Sequence, residues 1–412
     1  MNALGKIKTK LNSLEFLLYL LGASLSLLLV GYAPSSIALG LFCIMSFRYF
    51  IVKKRKIQFN FALFLPVLLY LLFAASYFWS VDQEQTLKGL GRMVILLLIP
   101  ITFTLLPLIT LKNYRLIIRI FTFSNAILGV FFLSSALYNF INTGSVSVFT
   151  YHELVSVLDL NAIYVTVIFS VSLFYLLSIK NKTKLEKSAI VYFLILVLLL
   201  SSKIIILVLF IGLFVYLIKN NINVSNKKKI VPLAIFVIVA LIISSITLSE
   251  RFSVEKRTEL NEVFTKGTFG KVYYWTGSSI RLFQLRNLKE QIKDESILFN
   301  GFGLFASKKD LKKRHLKYDT YFGFHDYNYH NQYAQILSES GLIGLFLLLL
   351  ILVVLTNKAI ISKDYGFIMF TIMIMIVFFT ESFLWRQRGL FLFVTLYCLY
   401  NRVLFQQTST EN

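Results

Sequence analysis

The sequence predicts an all-α polytopic membrane protein of about twelve transmembrane helices with one large polar loop that itself contains helices. Three observations predict it. Hydrophobic residues make up 57% of the 412-residue chain, 16% are aromatic and 15% charged, which would leave a water-soluble globule with far too much apolar surface. The apolar residues come in repeated runs of about 20, each long enough to cross a hydrocarbon core as a helix, and the alternating pattern of β-barrel strands is absent. One stretch, residues 249–333, is polar and long enough to build a site outside the bilayer.

In order, the spans are expected over residues 14–31, 34–52, 59–79, 93–111, 116–141, 160–179, 189–202, 204–218, 230–248, 335–356, 365–383 and 388–405. The first follows Lys6, Lys8 and Lys10 without a small-residue cleavage site and reads as a retained helix. Lys and Arg cluster before it, in Lys53-Lys54-Arg55-Lys56, around Lys112 and Arg115, over 180–187 and 219–229, and at Lys358 and Lys363. Every cluster alternates onto one side, which is then the cytoplasm, with both termini there. The net charge of +22 is therefore mainly a topological signal with some attraction for anionic membrane lipids, and no nucleic-acid partner is expected. Cys43 and Cys398 both lie in apolar runs, which excludes a disulfide framework and a thiolate metal site.

The opposite side receives residues 80–92, 142–159, the turn at Lys203, the loop 249–333 and 381–388. All four histidines, His152, His315, His325 and His330, fall there, so imidazoles that titrate near neutral pH are available for proton transfer on that face. The competing reading is that histidines avoid the bilayer and only loops remain for them. Three units follow: residues 1–248 with the first nine helices, 249–334 as a catalytic loop, and 335–412 with the last three helices and a tail.

Within the loop a helix is expected from an N-cap at Ser278-Ser279 to about Lys293, with Leu282, Leu285, Leu288 and Ile292 as one apolar stripe. Arg281 falls in the same sector, where a guanidinium needs a carboxylate or phosphate partner unless it snorkels to the interface. Gly301-Phe302-Gly303 reads as a tight turn, and residues 308–315 as a solvated basic run able to attract an anionic glycan or lipid. Lys203, between Leu198-Leu199-Leu200 and Ile204-Ile205-Ile206, is costly unless it snorkels or lines a polar cavity. Glu339 lies nine residues after His330, about 180° around a continuous helix, so the two cannot pair there. Glu339 is expected to anchor the loop instead, and Gly341 and Gly344 to permit close packing. Asp82-Gln83-Glu84 has the spacing of a divalent-ion pair but no second acidic cluster accompanies it, and neither metal nor cofactor is expected.

Arg281, Gly301-Phe302-Gly303, His330-Asn331-Gln332-Tyr333 and Glu339-Ser340-Gly341-Leu342-Ile343-Gly344, with Tyr77-Phe78-Trp79-Ser80-Val81-Asp82 ahead of the fourth span, resemble the O-antigen ligase and polymerase superfamily. The resemblance covers the whole topology. It implies a GT-C-like glycosyltransferase of the bacterial inner membrane, with its active site facing the periplasm, a polyprenyl pyrophosphate-linked glycan as donor and a lipid or glycan as acceptor. It implies His330 as base or acceptor-orienting group and Arg281 as a holder of pyrophosphate. The family's second arginine, after a serine at the outer end of the seventh or eighth span, is matched here by Lys203 after Ser201-Ser202. Lysine keeps the charge but loses the bidentate fork. The aromatic often found four residues after the loop arginine is Leu285 here. Asn331, Tyr333, Arg286 and His325 are expected at the substrate, with Glu339, Gly301, Gly303 and Gly341 in support.

Outside the cytoplasm no nucleotide sugar is available, so a donor must bring its own activated leaving group, and a lipid pyrophosphate does. Cations that stabilise the departing charge and a base for the acceptor hydroxyl are then sufficient, and a direct displacement inverts the anomeric carbon. A ligase to lipid A-core and a polymerase share this chemistry; the spaced arginine–glycine loop repeats of some polymerases are missing, which favours a ligase. A protein O-oligosaccharyltransferase also fits. The alternative from another class is a lipid-linked oligosaccharide flippase with Arg48, Lys203 and Glu381 along its path, against which stand the lack of internal similarity between halves and the concentration of outside residues in one loop.

Overall fold

Helices dominate the computed structural model, which describes residues 11–200, 203–219, 260–270 and 275–405. The expected span 230–248, the first residues of the polar loop and the N-terminal lysines lie outside the described residues. Among the described residues five helices are long and apolar enough to cross a membrane: Tyr32–Val52, Phe61–Phe78, Gln83–Leu105, Leu111–Thr143 and Gln332–Ser362. Other expected spans are met by shorter helices, Leu14–Ser26, Ala162–Ser178, Lys184–Leu199, Lys203–Lys219, Tyr365–Val377 and Gln387–Arg402. The chain is a multi-pass membrane protein.

Polar residues between the apolar runs start these helices. Asn60, Asp82, Thr110, Asn161 and Asp364 each accept a hydrogen bond from a first-turn amide, and Thr183 forms a capping box with Glu186. The fourth span departs from its expected bounds. Asp82 starts its helix at Gln83, Leu105 ends it, and Ile109–Thr110 then pairs in parallel with Val403–Leu404. Leu111–Thr143 buries Ile117, Phe121 and Phe132 while Phe123, Ile127 and Val130 stay exposed, as expected of a helix with one face on the bundle and one on lipid. Ala162–Ser178 and Gln387–Arg402 are enclosed along nearly their whole lengths.

The polar insert corrects two expectations. Its first long helix is Gly277–Asp294, capped by Thr276 rather than Ser278 or Ser279, and its buried face carries Ile280, Phe283, Gln284, Asn287, Leu288 and Gln291 while Leu285 is exposed. The apolar stripe is displaced because three buried positions are amides with polar partners inside the insert. The basic run is the helix Ser307–Lys317, and it is not wholly solvated: Leu311, Arg314 and His315 are buried, and Arg314 meets Asp310, Glu290, Asp294 and Glu295.

The insert is fixed to the bundle where Gln332–Ser362 breaks. Gly341 there takes φ +62 and ψ −162, a conformation open to glycine alone. The break frees backbone groups that must find partners. The carbonyls of Ser338 and Glu339 accept from the amides of Phe302 and Gly303, and Leu342 N donates to the Leu298 carbonyl. The contact is so close that a Cβ on Gly341 would lie 1.9 Å from the Phe299 carbonyl oxygen, and one on Gly301 would lie 2.3 Å from the Glu339 carbonyl carbon. The other side of this turn rests on the Trp79–Asp82 segment. Trp79 Nε1 donates to the Asn300 carbonyl, Val81 N to the Phe302 carbonyl, and a Cβ on Gly303 would strike Ser80.

Gly341→Ala should therefore lower the thermal midpoint of the detergent-purified protein, since backbone strain alone costs about 1–3 kcal/mol of stability and the collision costs more. Gly91→Ala is the control, because its Cβ would meet nothing in a regular helix. Equal midpoints for Gly341→Ala and wild type would refute the role given to the break.

Candidate functional site

His330 sits immediately before the broken helix, with Asn331 as N-cap and the chain in the left-handed region at φ +46. A non-glycine residue is held there at a cost of about 1–3 kcal/mol, so its surroundings must impose it. The Asn328 side chain accepts from His330 N at 2.9 Å. On the other side Gln332 N donates to the Phe378 carbonyl, Asn331 Nδ2 to the Phe379 carbonyl and Tyr333 OH to the Met375 carbonyl. Asn331 and Tyr333, expected at the substrate, thus dock the start of one helix on the end of another.

That docking brings Glu381 to the histidine. The turn after Tyr365–Val377 delivers its carboxylate, 6% exposed, with Oε2 3.6 Å from His330 Nδ1. The other oxygen, Oε1, accepts from Arg281 Nη2 at 3.1 Å. Arg281 also donates through Nε to the Thr380 carbonyl at 2.8 Å and through Nη1 to the Gly277 carbonyl at 2.7 Å. Of the anionic partners open to Arg281 on sequence grounds, the structure supplies a carboxylate. Both ring nitrogens of His330 are buried, and neither has a hydrogen-bond partner among the described residues. Imidazole nitrogens enclosed without partners are costly and call for an explanation.

Lys203 begins a helix whose path is fixed by Tyr216, packed on Tyr365 with ring centroids 5.5 Å apart, and by Gly212, which closely approaches Met369. The two helices therefore run antiparallel. Lys203 is the first residue of its helix, nine residues before Gly212. Arg286 is elsewhere, about 140° around the helix from Arg281. It donates to the carbonyls of Val263 and Lys266, pairs with Glu290 and lies 4.3 Å over the Tyr318 ring.

The histidines do not form one cluster. His315 is buried between Gln284 and Thr320, and His325 Nε2 meets the Thr320 carbonyl. His152 lines a separate cavity with Tyr32, Asn161 and Arg388. Glu339 anchors the insert as expected, accepting from Phe305 N, Ser307 Oγ and Gln335 Nε2. Asp82 is a helix cap and Glu84 pairs with Lys88, which gives each a structural task.

Several residues escaped the sequence reading. Glu381 was marked only as a possible path residue, although an acid at the end of an apolar run is itself a signal. Gln332 and Gln335 lie three apart at the start of a long apolar helix. Gln332 accepts from Leu384 N, and Gln335 accepts from Ser382 Oγ while donating to Glu339. Tyr329 is fully buried, bonds Gln291 and Ser338, and has its phenol pushed above the usual range by burial.

Residues 188–349 match the model of a protein family described as O-antigen ligase. The matched segment includes Lys203, Arg281, His330, Glu339 and Gly341, and ends before Glu381. No curated protein matches the chain.

His315 carries a pH expectation. Burial, and next the His325 imidazole, push it down from 6.5 to about 4. Between those values the unfolded chain binds a proton that the folded one refuses, so this contribution to stability is complete above 6.5 and is lost as pH falls towards 4. The thermal midpoint should fall through that window, and His315→Gln should flatten the fall. An unchanged slope would show that His315 is not the group responsible.

Proposed function

We propose, from the membership in the O-antigen ligase and polymerase superfamily that the match over residues 188–349 supports, that this chain transfers a glycan from a polyprenyl pyrophosphate carrier to an acceptor hydroxyl on the periplasmic face of the bacterial inner membrane. The acceptor in this reading is lipid A-core, and the reaction is metal-independent and inverting. One observation carries it: a histidine with two buried, unpartnered nitrogens stands beside a carboxylate that also binds an arginine.

Each group then has a role. Glu381, on the Nδ1 side of His330, favours the tautomer with a proton on Nδ1 and leaves the Nε2 lone pair for the acceptor. As the acceptor oxygen attacks the anomeric carbon, its proton passes to Nε2. The bond from that carbon to the pyrophosphate oxygen breaks, and polyprenyl pyrophosphate leaves with the electron pair. Glu381 stabilises the imidazolium so formed. Arg281 has five N–H groups and spends three on Thr380, Gly277 and Glu381. Two remain for phosphate oxygens, and Lys203, at the family's second cation position, supplies another positive charge in this reading.

His330→Ala should abolish transfer in a reconstituted assay while the protein still inserts and binds donor, and Glu381→Gln should lower the rate with little change in donor affinity. Full activity in His330→Ala would remove the histidine from the mechanism. Removing either Arg281 or Lys203 should weaken donor use by about 2–4 kcal/mol, the scale of a lost charge-assisted contact. With a shared diphosphate the double variant costs less than the sum of the singles, and Lys203→Arg is tolerated. Additive losses would mean that the two cations hold different ligands. Ligase and polymerase separate on the surface glycan of a deletion strain: unextended core marks a ligase, a single repeat on the core a polymerase.

A further inference from the structure

A polar cavity of about 270 Å³ lies beside the segment that leads into His330. Tyr327 and Asn328 line it and also touch His330. The Tyr327 ring stands edge-on to the His330 ring at 5.1 Å, and Asn328 holds the His330 amide. Around the cavity stand Arg92, Arg386 and Lys308, the carboxylates of Asp326 and Glu339, and Gln85. Lys308 is paired with Asp326. The two arginines are different. Arg92 lies 4.9 Å over the Phe305 ring and donates to the Trp385 carbonyl, and Arg386 is near enough to repel it. Among the described residues neither guanidinium forms an ion pair with a carboxylate, and the exposed Arg386 side chain makes no hydrogen bond.

The two carboxylates of the cavity have partners of their own, Asp326 in Lys308 and Glu339 in Phe305 N, Ser307 and Gln335, which leaves the two guanidinium groups open to a further anion. A guanidinium fork fits a carboxylate or phosphate better than any neutral group. The other lining groups suit a sugar ring: side-chain amides for hydroxyls and the exposed Tyr327 face for the ring's C–H surface. Phe305 and Trp385, stacked at 4.2 Å, hold the Arg92 side rigid.

We infer that this cavity is an acceptor subsite for an acidic sugar residue, a uronic acid or a phosphorylated sugar, with Arg92 and Arg386 gripping the anion and Tyr327 and Asn328 setting the sugar beside His330. This rests on the transferase reading for the word acceptor, but the anion preference stands on the cavity alone. Arg386 also lines the neighbouring cavity of about 330 Å³ with Arg388 and His152, which gives the rest of an acceptor chain a polar path.

The test is binding, not turnover. The full chain carrying His330→Ala, in lipid nanodiscs, is titrated with oligosaccharides that end in glucuronic acid, in a phosphohexose or in glucose, and read by calorimetry. The acidic ends should bind at least about tenfold tighter than glucose. That preference should vanish in Arg386→Gln and in Arg92→Gln, survive in part in Arg386→Lys, and shrink with added salt. Thermal melts establish that each variant is folded. Equal binding of acidic and neutral ends, or a preference that persists in both glutamine variants, overturns the subsite. Polyprenyl pyrophosphate without a glycan should not displace the acidic sugar, and displacement would assign the cavity to the donor and overturn the acceptor placement. Because His330→Ala is used throughout, failure of the transfer reaction and failure of the subsite are separate results.

Discussion

The break at Gly341 is the constraint on which the rest of this structure depends. A long apolar helix that opens in mid-course exposes backbone groups in surroundings with no water to satisfy them, so the chain must bring its own partners. Residues 298–303 are those partners, and two glycines let the backbones touch. A polar insert is thereby fixed to an apolar bundle through main-chain hydrogen bonds, which are harder to deform than side-chain contacts. Glu339, buried beside the break, ties the next segment in through Phe305 N and Ser307 Oγ.

From that anchor the geometry runs outward in short steps. Gln335 joins Glu339 to Ser382, Gln332 joins the helix start to Leu384, and Asn331 joins it to Phe379. The turn that carries Glu381 is held at several points, and so is the strained His330. Arg281 closes the arrangement from the insert side, since its Thr380 and Glu381 contacts reach the same turn. A histidine, a carboxylate and a guanidinium are thus placed by three segments distant in sequence. Preorganisation of this kind lets side chains stabilise developing charge without first rearranging.

Charge is distributed with the same logic. Arg314 is buried among carboxylates and serves the architecture of the insert, whereas Arg92 and Arg386 line a cavity whose two carboxylates are bound to other groups. Arg281 stands between these cases, with a carboxylate partner and donors to spare. An arginine's surroundings, more than its presence, separate a strut from a ligand.

The sequence by itself determined the membrane class and the approximate course of most apolar helices, because apolar runs of sufficient length are a local property. The caps were less legible: Asp82 and Thr110 start their helices ten and five residues before the expected bounds. Glu339 is also legible as an anchor, although His330 lies outside the helix, before its Asn331 cap, so the helical spacing argued for the pair does not apply. The helix stripe of the insert was misplaced, since Gln284, Asn287 and Gln291 look like surface residues until His315, Tyr329 and Asp310 are seen opposite them. Only the tertiary structure decided that Glu381, fifty-one residues beyond His330, is its carboxylate, that Arg281 shares it, and that Arg92 and Arg386 face one cavity. Periodicity reports what a residue's own helix does with it. Which distant turn arrives beside it is settled by packing among helices whose apolar surfaces are nearly interchangeable in sequence, and here by one glycine that opens a helix to receive the insert.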